Sequence, residues 1–189
     1  MAEQTDRELV LACQKGDDSA FQVLMHRNVQ PIWGFVRQYA KSDDDAEDIT
    51  QDTFFKAWKH IKRFQADKAF RPWLYAIARN TALDHLKRRR ASTFSELDGD
   101  DSDLSFADTL EDEELSPAEA YEISELSAEL EEAMSVLHPD HRAALVMHYR
   151  DQMTFDEIAV IMDKPMNTVK SWHRRALGRL RGRLPHRKA

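Results

Sequence analysis

The sequence predicts an all-α chain of two small helical domains joined by an acidic, flexible linker, with a helix-turn-helix in the second domain. Three observations predict it. Apolar residues recur at three- and four-residue steps over long stretches of the 189 residues, the period of amphipathic helices. Only 5 glycines and 6 prolines interrupt that period, well below average usage. Charge is segregated along the chain: residues 1–90 carry a net +3, residues 91–135 carry 16 acids and no base, and residues 136–189 carry a net +6. Two weakly basic modules either side of an acidic connector follow from that pattern, with expected bounds 1–91, 92–122 and 123–189.

In the first module, Phe21, Leu24, Met25, Val29, Ile32, Trp33, Val36 and Tyr39 predict a helix from Ser19 to Tyr39. A second helix runs from about Asp44 to Lys62 and turns Ala46, Ile49, Thr53, Ala57 and Ile61 to one side. The third opens at Arg71-Pro72, where proline suits a first turn, and ends in Lys87-Arg88-Arg89-Arg90, cations that suit a helix C-terminus. Between Ala91 and Leu115 the periodicity vanishes and Asp, Glu, Ser and Gly dominate, so the segment reads as a mobile linker. A fourth helix carries Ile123, Leu126, Leu130, Met134 and Leu137 on one face and is closed by Pro139. Thr154-Phe155-Asp156-Glu157 is a capping box that starts a short helix. Asp163-Lys164-Pro165 breaks that helix, and Asn167-Thr168 offers a second N-cap before a run ending near Leu184. Two helices around a tight turn match the helix-turn-helix of DNA-binding proteins. Asp163 stands where glycine is usual in the turn, and Asp tolerates the left-handed conformation better than most residues.

The helix faces carry the chemistry. At 100° per residue the second helix gathers Asp44, Glu47, Asp48, Gln51 and Asp52 opposite its apolar side, with Phe55 among them and Trp58 at the margin. An acidic face alone is an ordinary solvated surface. An aromatic in its centre is costly to leave in water and points to a protein partner that covers the ring and pairs cations with the carboxylates. On the third helix Trp73, Asn80 and Lys87 recur at seven-residue spacing beside Arg79 and Arg90, and Lys62, Arg63, Lys68 and Arg71 precede them. Ring, amide and cation together suit single-stranded nucleic acid, although Trp73 reads equally well as core. The last helix turns Val169, Trp172, Ala176 and Leu180 inward, with His173 and Leu177 at the edge. Its outer face holds Lys170, Ser171, Arg174, Arg175 and Arg181, which can reach guanine edges and phosphates in a major groove.

Several function classes are excluded at this level. No spacing of the glycines builds a dinucleotide fingerprint or a P-loop. No uncharged apolar run approaches the ~18 residues of a membrane span, and the polar first residues lack a signal-peptide stretch, so a cytoplasmic protein without membrane insertion is expected. Cys13 has no partner in the chain for a disulfide. His138, His141 and His148 lack a neighbouring cysteine or an HExxH pattern, and Asp98 to Asp103 fits a calcium loop in no register. No metal, cofactor or catalytic residue is therefore assigned.

Three ordered runs carry a family resemblance: Asp45-Ala46-Glu47-Asp48-Ile49-Thr50-Gln51-Asp52-Thr53-Phe54, Phe70-Arg71-Pro72-Trp73-Leu74-Tyr75-Ala76-Ile77-Ala78-Arg79-Asn80, and Thr154 to Ala176 with Thr168-Val169-Lys170-Ser171. Together they closely resemble the extracytoplasmic-function (ECF) sigma factors of bacterial RNA polymerase, across both modules and in the right order. The resemblance implies a transcription initiation factor with a role in stress response, not an enzyme. Its first module would bind the β′ clamp helices of core RNA polymerase through Asp44, Asp45, Glu47, Asp48, Gln51, Asp52 and Phe55. Lys62, Arg63, Lys68, Arg71, Trp73, Arg79, Asn80 and Lys87 would recognise the minus-ten element and capture its unstacked bases as the duplex melts. Thr168, Lys170, Ser171, Arg174, Arg175 and Arg181 would read the double-stranded minus-thirty-five element, with the same module touching the β flap. The connector's 16 acids suit a channel built for nucleic acid. Many relatives are held inactive by an anti-sigma protein, and the sequence does not encode whether this chain has one. Trp172-His173 departs from the more usual Arg followed by an aliphatic residue and Asn167 from a common glycine, so base preference does not transfer. The alternative is a conventional helix-turn-helix regulator that does not bind core polymerase.

Overall fold

The computed structural model describes residues 4–93 and 129–183, with side chains as far as Arg89 in the first segment. Most of the expected acidic linker, and Ile123 and Leu126 of the expected fourth helix, lie outside the described residues. The elements are α1 (Asp6–Gln14), α2 (Asp18–Val36), α3 (Asp43–His60) with a 3₁₀ turn at Ile61–Arg63, and α4 (Phe70–Thr93). After the linker come α5 (129–135), α6 (Pro139–Tyr149), α7 (Phe155–Met162) and α8 (Met166–Arg181). The described residues contain no strand, and the all-α fold stands.

Local chemistry accounts for the ends of these helices. Thr5 and Glu8 form a capping box, the Glu8 amide donating to Thr5 Oγ1 at 3.3 Å and the Thr5 amide to Glu8 Oε2 at 2.8 Å. That box starts α1, a helix not expected from periodicity, whose apolar face consists of Leu9, Val10 and Cys13. Ser42 caps α3 by accepting from the Asp45 amide at 3.2 Å, and Asp43, Asp44 and Asp45 in the first turn suit the positive end of the helix dipole. Pro139 does more than close a helix: it opens α6 one residue after the His138 cap. Asp163 adopts the left-handed conformation expected of it, at φ +48°, and ends α7. Pro165, rather than Asn167 or Thr168, precedes α8, so both polar residues fall inside its first turn.

The core crosses the expected module boundary. Leu24, Ile32, Phe35, Ile49, Leu74 and Tyr75 from the first module form one buried cluster with Met147, Ile158, Met162 and Val169 from the second. α7 lies on α4 and α6 lies on α2. A smaller cluster of Ala133, Leu137, Leu145, Ala176 and Leu180 holds α5, α6 and α8 together. The segregated charge divides the chain into two modules, and the structure closes those modules on each other.

Candidate protein- and nucleic-acid-binding faces

α3 presents the acidic face that its periodicity predicts. Asp44, Glu47, Asp48, Gln51 and Asp52 are exposed, while Ala46, Ile49, Thr53, Phe54 and Ala57 are buried on the other side. At the end of the face Phe55 and Trp58 stand 54% and 49% exposed and stack on one another, with centroids 6.5 Å apart. Lys59 Nζ sits 4.5 Å above the Phe55 ring. Such a pair in water is apolar area awaiting a cover. Asp45 behaves differently: its carboxylate turns inward, accepts from His85 Nε2 at 3.2 Å and pairs with Arg89, tying the start of α3 to α4.

The predicted single-strand face divides into exposed and sheltered residues. Lys62, Arg63, Lys68, Asn80 and Lys87 are exposed along the loop and α4. Trp73 is half-buried, its ring 4.6 Å from Phe64 and 5.6 Å from Phe70, so it is at once a part of the wall and a ring at its edge. Gln14, which the sequence reading passed over, donates from α1 to the carbonyls of Ile61 and Phe64 at 3.2 and 2.7 Å. Those bonds satisfy backbone acceptors that the end of α3 leaves open and fix where the basic loop begins. Arg79 is only 12% exposed and pairs with Asp140 of α6 at 3.7 Å. Arg71 lines a cleft of ≈ 360 Å³ between the modules, together with Trp33, Gly34, Arg150 and Asp151.

On α8, Lys170, Arg174, Arg175 and Arg181 are exposed and Thr168 and Ser171 half-exposed, while Val169, Ala176 and Leu180 are buried. The capping box at Thr154 that holds α7 is present, with the Thr154 amide 2.9 Å from Glu157 Oε2 and the Glu157 amide 3.3 Å from Thr154 Oγ1. Trp172 and His173 fold back onto the module instead of joining the basic face. The Trp172 ring lies 5.3 Å from His141, and the Tyr149 hydroxyl lies 3.0 Å from His173 Nε2. Burial pulls the pKa of both His141 and His173 below the ordinary histidine range, assisted by His138 at the first and His148 at the second. These two histidines are neutral parts of the wall behind the recognition helix.

Polar groups also meet where the modules touch. The Tyr39 hydroxyl donates to Asp140 Oδ1 at 3.0 Å, Arg142 Nη2 to the Gln38 carbonyl at 2.7 Å, and Arg150 Nη2 to the Pro31 carbonyl at 2.7 Å. Burial, with the Asp151 carboxylate beside it, raises the pKa of the Tyr75 hydroxyl, yet the two groups form no well-shaped hydrogen bond. A buried donor left unmet in this way costs about 1–3 kcal/mol.

Comparison with known proteins completes the picture. The family model for Sigma-70 region 2 matches residues 24–92, and that for Sigma-70, region 4 matches residues 127–180. The chain is 32% identical over 173 residues to the RNA polymerase sigma-H factor of Pseudomonas aeruginosa, covering 90% of this chain and 89% of the relative. It is 36% identical over 174 residues to the ECF RNA polymerase sigma-E factor of Escherichia coli, covering 90% of each. Among solved structures its fold is similar to the sigma factor RpoE in complex with the anti-sigma factor NepR from Bartonella quintana, with a TM-score of 0.72 at 22% identity over 89% of this chain and 98% of that one. It is also similar to CnrH in complex with the cytosolic domain of CnrY, with a TM-score of 0.65 at 22% identity over 94% and 95%. With an acidic, aromatic-tipped α3, a basic loop and helix behind it, and a helix-turn-helix with an arginine-rich outer face, the chain belongs to the ECF sigma factors of bacterial RNA polymerase.

Proposed function

We propose that this transcription initiation factor divides its work by helix. In the module of about residues 1–91, α3 docks on a basic surface of core polymerase through Asp44, Glu47, Asp48, Gln51 and Asp52, with Phe55 and Trp58 as apolar anchors. Asp45 positions that face through His85 and Arg89 and makes no direct contact. Lys62, Arg63, Lys68, Asn80 and Lys87 hold the backbone and unstacked bases of the minus-ten strand, and Trp73 offers them the edge of its ring. Opening is captured, not powered: bound bases offset the few kcal/mol that unstacking and unpairing cost. From about residue 123 onward the second module reads the minus-thirty-five duplex through α8, with Arg174 and Arg175 nearest the base edges and Arg181 on phosphate. The chain supplies no catalytic group, since the polymerase makes the phosphodiester bonds. No helix among the described residues is long and apolar enough to cross a membrane, which supports a cytoplasmic place of action beside the polymerase. The fold shared with a sigma factor solved in an anti-sigma complex supports an anti-sigma protein as a further partner.

One observation carries the reading: α3 exposes a row of carboxylates continuous with two stacked aromatics while the outer face of α8 is arginine and lysine. One helix is built for a protein and the other for DNA. Run-off transcription with core polymerase on a promoter library tests it. Transcripts that depend on the chain and share two spaced elements are expected; failure to co-purify with core polymerase would overturn it.

A further inference from the structure

We propose that the seam of α2 and α4 against α6 and α7 is a latch that holds the free chain closed, and that engaging a promoter requires its release. The consequence for DNA rests on the promoter reading above; the latch itself does not.

The geometry of the target comes first. Elements named for positions ten and thirty-five lie about 25 base pairs apart, roughly 85 Å of duplex at 3.4 Å per base pair. Packed helices lie about 8–10 Å apart. α7, the first helix of the helix-turn-helix, rests directly on α4, the helix assigned to the minus-ten strand. The closed chain therefore cannot occupy both elements of one straight duplex. Residues 94–128 join the modules, and at no more than 3.3–3.6 Å per residue such a stretch can reach roughly 120 Å, so opening is within the chain's reach.

The composition of the seam is that of a surface made to part. Its polar contacts hold Tyr39 and Arg79 to Asp140, Arg142 to the Gln38 carbonyl and Arg150 to the Pro31 carbonyl. Among the described residues four buried side-chain polar atoms lack a hydrogen-bond partner, and three of them, Tyr75 Oη, Arg79 Nε and Arg142 Nε, lie here. A permanent core satisfies such groups, whereas an interface between domains is more polar and regains water when it opens. Closure also withholds two residues assigned to the minus-ten strand, Arg79 at its ion pair and Arg71 in the cleft.

Gly34 is the socket of the latch. It sits inside α2 without a left-handed φ, so the backbone has no need of glycine, and alanine would favour the helix. What glycine provides is room: a Cβ there would collide with Nη1 of Arg150, whose guanidinium reaches across from the second module. The α2 helix bears an unfavourable residue so that the arginine can enter.

Spin labels at Gln22→Cys and Val160→Cys, both exposed, in a Cys13→Ala background of the full chain, report the α2 to α7 separation. The unmodified seam gives one short, narrow distance. Arg150→Ala and Gly34→Leu each convert it to a long, broad distribution, and Gly34→Ala does so in part. The same variants bind a premelted promoter carrying both elements roughly tenfold more tightly, as expected when about one resting molecule in ten is open. A duplex with the minus-thirty-five element alone is bound equally by all, because α8 keeps its outer face exposed in the closed chain. Arg150→Ala removes no buried apolar contact and keeps the test decisive if Gly34→Leu does not fold. A broad, long distance in the parent, or an unchanged distance in Arg150→Ala, would overturn the latch. A released seam with no gain on the two-element promoter would instead overturn the promoter assignment of Arg71 and Arg79.

Discussion

α3 and α8 are both amphipathic helices with a charged outer face, yet they place their aromatic residues in opposite ways. α3 leaves Phe55 and Trp58 stacked in solvent at the end of a row of carboxylates. α8 folds Trp172 and His173 back against α6 and shows only cations and a serine. The difference teaches what each face is for. Dehydrating an exposed aromatic rewards a protein partner, whereas phosphates and base edges reward long cations that stay hydrated until contact.

The contrast breaks most sharply by reversing a charge on α3. Asp48→Arg should weaken core polymerase binding about 100-fold or more, near 3 kcal/mol, because a buried contact is replaced by repulsion from a basic partner. Equilibrium titration with core enzyme checks it, alongside unchanged helicity and unchanged binding to a minus-thirty-five duplex. Next in size is α8: Arg175→Ala should lose roughly 1–3 kcal/mol of discrimination at one base pair, while Arg181→Ala should weaken every sequence alike and flatten the salt slope by about one unit. Titrations of single-base-substituted duplexes at two salt concentrations separate them, and identical profiles would erase the distinction. Phe55→Ala should cost roughly 1–2 kcal/mol of core affinity and no folding stability, since alanine is the better helix former at an exposed site. A fall in unfolding midpoint for that variant would show the ring to be structural.

The smallest expected effect concerns pH. His141 and His173 have folded-state pKa values held below the ordinary histidine value of about 6.5, chiefly by burial. The unfolded chain then takes up protons first, so the stability they contribute is complete above about pH 6.5 and declines as pH falls below it. Glu8 and Asp17, lowered by bonds from Thr5 and Ser19, follow the carboxylate pattern and act only in more acid solution. Thermal melts between pH 7.5 and 5.5 should therefore show a loss that His173→Gln reduces, while the α3 face, which contains no histidine among its exposed acids, keeps its affinity for core polymerase.

Much of this was legible in the sequence where a pattern is local. The capping box at Thr154, the left-handed Asp163 and the two faces of α3 each depend on residues within a turn or two of one another. α1 was equally local and was missed: Thr5 and Glu8 announce it, but a nine-residue helix with three buried apolar residues gives periodicity too little length to register. Pro139 misled because proline serves both after a helix and in the first turn of the next. Asp45 and Arg79 fall on the predicted stripes by angle, yet each is claimed by a partner tens of residues away, His85 and Arg89 for one and Asp140 for the other.

The sequence by itself determined which residues become helix, which side of each helix avoids water and what charge the other side bears, because backbone hydrogen bonding and amphipathic burial act over spans of a few residues. Only the tertiary structure decided which charged side chains remain available. That the modules close on one another, that Arg150 enters a socket left by Gly34, and that Gln14 anchors the loop before α4 all depend on contacts between residues 47 to 119 positions apart. Such contacts form where whole helices meet, and the pattern within any one helix contains no information about the helix that will lie across it.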